Sequence, residues 1–192
     1  MRIYLTRHGE SEYNVEDRIG GDPPLTKLGM EYGDALCNYA SDNDLLRTVF
    51  CSPKIRTIQT IKSMQTDIKD LRIRDDLAEI SAGICEDITY EEVSKNHPVI
   101  TSEREKDKLN FRYPQGESYI DLIKRVGPVC IEIRKMTGDV LVVCHRAVIR
   151  ALLFHFLSTI QVQDIPHIPV PLHTIIAVDT QTGEIENIEV MK

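Results

Sequence analysis

Thr6-Arg7-His8-Gly9-Glu10-Ser11 sets an imidazole between a guanidinium and a residue without a side chain. A histidine attacks phosphorus only through a ring nitrogen that keeps its lone pair, so it must be neutral. Arg7 favours that state: at about 5 Å and an effective dielectric of about 20, a like charge costs the imidazolium roughly 3 kcal/mol, on the order of two pKa units. Arg7 is thus able to hold a phosphate and keep His8 unprotonated, while Gly9 lets phosphate oxygens approach the backbone. A run this short fits equally well a histidine satisfied by backbone groups near a turn, so its companions matter.

Several residues qualify as companions. Ser52-Pro53 reads as a helix cap with proline at the first helical position, which puts Arg56 in the first turn beside amides that favour anions. His145 closes the apolar run Val140-Leu141-Val142-Val143-Cys144, and Arg146 and Arg150 follow four apart at the start of a helix. Arg104 and Lys108 lie one turn apart and share a face if their segment is helical. Arg18 borders the turn Gly20-Gly21, whose backbone amides are free to face an anion. Glu79 sits among small and apolar neighbours, a setting that raises a carboxylate's pKa and suits a proton donor.

The elements that must position these groups follow from periodicity. Alternation over residues 2–6 predicts a first strand ending at His8, and Thr26 caps a helix whose apolar face runs through Leu28, Tyr32, Ala35, Leu36 and Tyr39. Thr48 to Cys51 is a short strand, after which Ile55, Ile58, Ile61 and Met64 are expected to face inward. Leu71 to Arg74 is a third strand, Tyr90 to Asn96 a helix ended by Pro98, and the helix carrying Ile123, Val126, Cys130 and Ile133 is kinked at Pro128. Residues 140–144 have the uniform apolarity of a strand covered on both faces. Residues 173–179 and 184–190 alternate around a turn and predict an edge hairpin. The sum is an α/β fold, read as one domain over residues 1–192, with helices on both faces of a mostly parallel sheet. Such sheets place their sites at the carboxyl ends of the strands.

Composition narrows the partners. Lys and Arg number 23 against 30 Asp and Glu, a net charge of −7 without long basic runs, which argues against nucleic acid. An acidic chain that binds an anion must gather its cations locally. No apolar run is long enough for a bilayer and no signal peptide is apparent, so no membrane partner and a cytoplasmic location are expected. Cys37, Cys51, Cys85, Cys130 and Cys144 are scattered, which fits reduced thiols and no zinc site. No cofactor or metal is expected. His97, His155 and His167 read as surface or packing residues, and His173 as a support for the pocket.

Taken in order, Arg7-His8-Gly9, Ser52 with Arg56-Thr57, Glu79 and Cys144-His145 resemble the histidine phosphatase superfamily, which includes the cofactor-dependent phosphoglycerate mutases. The runs Arg18-Ile19-Gly20-Gly21-Asp22, Ile88-Thr89-Tyr90-Glu91-Glu92, Arg112 to Tyr119 and Pro171-Leu172-His173-Thr174 are similar to its fructose-2,6-bisphosphatase branch, across nearly the whole chain. The resemblance implies a three-layer α/β/α fold, phosphoglycerate mutase-like, with a mostly parallel sheet and an antiparallel edge strand. It implies His8 as the phosphoryl acceptor, Arg7, Arg56, Asn14 and His145 around the phosphoryl group, and Glu79 as acid and base. Tyr90, Arg104, Lys108, Tyr119 and Arg150 would hold the fructose 6-phosphate portion, and Arg146 stands where that branch usually has glutamine.

The implied reaction is metal-independent removal of the 2-phosphate of fructose 2,6-bisphosphate through a phosphohistidine. A mutase or a broader sugar-phosphate phosphatase is the alternative, and a non-catalytic phosphate-binding domain a third reading. In that branch a kinase half accompanies the phosphatase, so the chain is expected to be either a stand-alone enzyme or a domain of a longer one. Oligomeric state is not legible.

Overall fold

A computed structural model describes residues 1–191. In chain order it contains β1 (Arg2–Arg7), α1 (Glu12–Val15), α2 (Lys27–Asp42), β2 (Thr48–Cys51), α3 (Ile55–Thr60), β3 (Asp70–Ile73), α4 (Tyr90–Asn96), α5 (Pro98–Lys106), α6 (Tyr119–Ile133), β4 (Val140–Cys144), α7 (Arg146–Phe156), β5 (Thr174–Asp179) and β6 (Ile185–Glu189), with short 3₁₀ turns between them. The strands form one sheet in the order β3-β2-β4-β1-β5-β6.

The pairs β3-β2, β2-β4 and β4-β1 are parallel, whereas β5 is antiparallel to both β1 and β6. The hairpin expected at the edge is present; its reversed strand is β5, and β6 lies outside it.

The alternation of strand side chains assigns the two faces. Ile3, Leu5, Phe50, Val140, Val142, Ile176 and Val178 pack with Leu122, Val126, Val129 and Ile133 of α6 and with Val148 and Leu152 of α7. Tyr4, Val49, Cys51, Leu141, Val143, Ile175 and Ala177 pack on the other side with Tyr32, Leu36 and Ala40 of α2 and with Ile61 and Met64. All five residues of β4 are buried because both faces are covered, which is why that strand reads as an unbroken apolar run.

Helices α2, α4 and α6 start where side chains satisfy their first amides. Thr26 accepts the Gly29 N–H at 3.1 Å, and Ser118 and Asp121 cap α6 reciprocally. α6 continues as one helix past Pro128, which lies inside it. Leu28 and Ile55, both expected to face inward, are exposed.

Four parallel strands run toward one end of the sheet, and the chain continues from them through residues 8–26, 52–54, 74–118 and 145, segments that include α1, α4 and α5. A third apolar cluster, Ile19, Ala82, Cys85, Val93 and Tyr113, ties the first and third of these together above that end. This cluster is what converts a sheet edge into a walled depression.

Candidate active site

β1 and β4 are neighbours, with Arg7 paired to Cys144, so His8 and His145 emerge level from adjacent strands. The His8 N–H donates to the Cys144 carbonyl at 3.0 Å, and the two imidazoles sit with centroids 5.3 Å apart. Both rings are buried, His145 completely.

The His8 Nδ1 lies 2.7 Å from the Gly9 carbonyl oxygen, which only accepts, so Nδ1 carries the proton and Nε2 keeps the lone pair. Burial, then Arg56 and Arg7, holds the imidazole well below its usual range, so it is neutral near pH 7. Both sequence readings of His8 meet here, because the backbone satisfies one nitrogen in the very arrangement that leaves the other nucleophilic.

Gly9 has a different role from the expected one. A β-carbon there would lie 2.2 Å from the Gly29 carbonyl oxygen, and one on Gly29 would lie 2.0 Å from that of Glu10. The missing side chains allow the start of α2 to press against the residues after β1. It is helix packing, not phosphate approach, that needs this glycine.

Arg7 and Arg56 are 4% and 3% exposed, a depth at which guanidinium groups ordinarily pair with carboxylates. Among the described residues the Arg7 guanidinium donates only to the Val170 carbonyl, at 3.3 Å, and its Nε has no partner. Burial, then the nearby Arg146, pulls Arg7 down to about 10. Arg56 donates to the Gly21 carbonyl at 2.9 Å and lies 3.6 Å from Asp22.

That contact reassigns the glycine turn. Gly20 and Gly21 have φ of +64° and +60°, but the Gly21 N–H donates to the Glu86 carboxylate, so that amide is not free for an anion. The turn aims Arg56 through its carbonyl instead.

Arg18 lines the same cavity as His8 and is also engaged, 2.6 Å from Glu16 and donating to the Asp87 carbonyl at 2.8 Å. Asn14 Oδ1 accepts from the backbone and hydroxyl of Ser11 at 3.0 and 3.1 Å, which leaves its NH₂ as the end able to donate. A cavity of about 230 Å³ collects Arg7, His8, Asn14, Arg56, Glu79 and Arg146, together with Ser11, Tyr13 and Leu172, which sequence reasoning did not single out.

A second cavity, about 140 Å³, adjoins the first and shares Gly20, Glu79, Tyr90 and Arg146 with it. Arg104, Lys108, Arg150 and Tyr119 complete its polar lining. Arg150 donates to the Ile168 carbonyl at 2.7 Å and to the Tyr119 hydroxyl at 2.9 Å, Lys108 donates to the Pro166 carbonyl at 3.2 Å, and Arg104 lies over the Tyr113 ring.

Arg104, Lys108, Arg146 and Arg150 make no salt bridge among the described residues. Four uncompensated cations around one small cavity describe a receptor for a multiply charged anion. Arg104 and Lys108 reach it by a route other than a shared helical face, since α5 begins at Pro98 and ends at Lys106, leaving Lys108 in the following loop.

A third cavity, about 720 Å³, shares Glu79 with the other two and sets Asp22, Asp75, Glu79, Glu86, Asp87 and Glu117 against Lys54 and Arg125. Its sign repels phosphates and favours the two cationic chambers.

Two expectations after β2 change. α3 starts at Ile55 with Lys54 before it, so Pro53 is not its first residue, and the Ser52 hydroxyl lies 2.7 Å from His145 Nε2. Strand-serine-proline is indistinguishable in sequence from an ordinary cap, and no local signal names a partner 93 residues away. His173 stacks on Tyr32, centroids 4.9 Å apart, and Tyr32 in turn meets the Thr6 hydroxyl at 2.5 Å, which fits a supporting role.

The sequence from residue 3 to residue 190 matches the model of the histidine phosphatase superfamily, branch 1. The chain belongs to that superfamily.

Among curated relatives of this histidine phosphatase, the human 6-phosphofructo-2-kinase/fructose-2,6-bisphosphatase 4 is 43% identical over 175 residues, covering 91% of this chain and 36% of the relative. The Caenorhabditis elegans 6-phosphofructo-2-kinase/fructose-2,6-bisphosphatase is 40% identical over 198 residues, covering 95% and 42%. The chain therefore spans about two fifths or less of the length of these relatives.

Among solved structures, the alpha-ribazole phosphatase of Shigella flexneri superposes with a TM-score of 0.87 at 22% identity, covering 98% of this histidine phosphatase and 96% of that chain. A mycobacterial glucosyl-3-phosphoglycerate phosphatase with VO3 superposes at 0.81 and 22% identity, covering 93% and 92%. These two likenesses establish the shared fold.

Proposed function

We propose that this chain, acting as one catalytic unit, hydrolyses the 2-phosphate of fructose 2,6-bisphosphate to give fructose 6-phosphate and inorganic phosphate. The observation that carries the reading is the pair of adjoining cationic chambers. One holds His8 and the other holds Arg104, Lys108, Arg146 and Arg150, with Glu79 and Tyr90 between them. A small sugar with a phosphate at each end spans both and brings the bond to be broken beside Glu79. The curated relatives whose names include fructose-2,6-bisphosphatase support the same choice.

In the first step, His8 Nε2 attacks phosphorus, an N–P bond forms, and the bond from phosphorus to the sugar 2-oxygen breaks. Glu79, in its acid form, gives its proton to the departing oxygen, which is a poor leaving group as an alkoxide. In the second step, the Glu79 carboxylate takes a proton from water, the water oxygen bonds to phosphorus, and the N–P electrons return to Nε2. Arg7 and Arg56, with the Asn14 NH₂, stabilise charge spread over the equatorial oxygens throughout.

A phosphoglycerate or another sugar phosphate is the second reading. A carboxylate in the second chamber balances one charge where four cations converge, so a phosphate dianion is the better match there. The test is kcat/KM for fructose 2,6-bisphosphate, fructose 1,6-bisphosphate, 3-phosphoglycerate and 2,3-bisphosphoglycerate. At least a tenfold preference for fructose 2,6-bisphosphate is expected; a preference for either glycerate overturns the assignment.

A further inference from the structure

His145 lies beside His8, ring centroids 5.3 Å apart, with no exposed surface and one ring nitrogen occupied: Nε2 meets the Ser52 hydroxyl at 2.7 Å, while Nδ1 has no hydrogen-bond partner among the described residues. An imidazole so placed helps an incoming phosphoryl oxygen only if the unoccupied nitrogen bears the proton. If Nδ1 instead carried the lone pair, it would repel that oxygen. Which tautomer exists is decided at Nε2, by whatever meets it.

Ser52 is built to decide it. Its own N–H donates to the Val143 carbonyl at 3.0 Å, on the strand that carries His145. Its carbonyl accepts the Thr57 hydroxyl at 2.8 Å. Its hydroxyl oxygen already receives the Lys54 N–H at 3.3 Å. The side chain is wholly buried, and His145 Nε2 is the one group it meets among the described residues that can accept the hydroxyl proton, since its other contact, Lys54 N–H, only donates.

We propose that Ser52 is a positioning residue: by donating its hydroxyl proton to His145 Nε2, it fixes His145 in the tautomer protonated on Nδ1, which then donates to the transferring phosphoryl group. The proposal rests on the phosphoryl-transfer reading above, and it adds a residue that touches neither substrate nor His8. Burial, followed by Arg56 and His8, keeps His145 neutral, so there is a tautomer to be fixed.

Two measurements test it. The first is a long-range proton-nitrogen correlation spectrum of histidine-labelled protein at pH 7.5, without any ligand. Wild type is expected to give the Nδ1–H pattern for His145, Ser52→Ala a shift toward Nε2–H or a mixture, and Ser52→Thr the wild-type pattern. The second is steady-state kinetics after circular dichroism and melting have shown each variant folded. Ser52→Ala is expected to lose about tenfold or more in kcat with KM within about twofold, and Ser52→Thr to recover most of it, since a fixed donor acts on the barrier more than on binding.

An Nε2–H pattern in wild type, or an unchanged tautomer and kcat in folded Ser52→Ala, overturns the proposal. The spectrum needs no substrate, so it still decides the tautomer if wild type turns over none of the compounds above. That inactivity counts against the proposed function alone.

Discussion

Lys108 gives the second chamber a built-in dependence on pH. Burial, then Arg104, Arg150 and Arg146, pulls its ammonium down to about 8, because a half-buried cation among three others is costly to keep charged. Lowered to about 8, the group is charged at pH 7 and largely neutral at pH 9. If only its charged form grips the second phosphate, KM scales as one plus the ratio of neutral to charged lysine, about 1.1 at pH 7 and about 11 at pH 9, roughly a tenfold rise.

The ligand's own charge opposes this by favouring the ammonium, so the break is expected at or somewhat above pH 8. The assay is kcat and KM for fructose 2,6-bisphosphate from pH 6.5 to 9.5 at constant ionic strength. KM should climb while kcat changes little. Lys108→Met should raise KM at pH 7 and flatten the profile. Arg146→Gln, which removes one of the like charges, should move the break to higher pH. A flat KM between pH 7 and 9, or a break that survives in Lys108→Met, would show that Lys108 is not the group whose charge holds the second phosphate.

Glu79→Gln removes the proposed proton donor and is expected to lower kcat on fructose 2,6-bisphosphate by about a hundredfold or more, the usual weight of a general acid. The loss in the first step should be much smaller with p-nitrophenyl phosphate, whose leaving group needs no proton; equal burst-phase losses on the two compounds would contradict the role. Folded stability should fall below pH 6.5, because the unfolded chain binds protons on His8 and His145 that the folded chain, with both imidazoles depressed, does not. Each histidine contributes a slope of about 1.4 kcal/mol per pH unit over its own window, from the unfolded pKa down to the folded one. Urea unfolding from pH 7.5 to 5.5 measures it, and a slope unaltered in His8→Gln would contradict the burial argument.

The strands and the two histidines were legible because their signals are local. β1 alternates, β4 is uniformly apolar, and each ends in a histidine where parallel strands of an α/β sheet deliver their side chains. What sequence reasoning missed depends on distant partners. Ser52 looks like a helix cap until β4 brings His145 against it, and Gly20-Gly21 looks like an anion loop until Glu86 takes the Gly21 amide. Arg18 reads in sequence only as the neighbour of that turn, and its partners Glu16 and the Asp87 carbonyl appear only in the fold. Arg104 and Lys108 were read to the same cavity on a helical face, but Pro98 starts a helix instead of only ending one, and the chain turns after Lys106 to bring Lys108 in. Periodicity reports which face is buried; it carries no record of which buried polar group meets which.

In the proposed reaction His8, kept neutral by burial and two guanidiniums, accepts the phosphoryl group. The most direct measurement is rapid-quench labelling with fructose 2,6-bisphosphate bearing ³²P at the 2-position, in excess chelator, stopped in alkali and mapped by peptide mass spectrometry. Acid-labile, alkali-stable label on His8, absent from His8→Ala and formed at least as fast as turnover, is the expected result. Turnover of the substrate with no label on His8 would contradict the account.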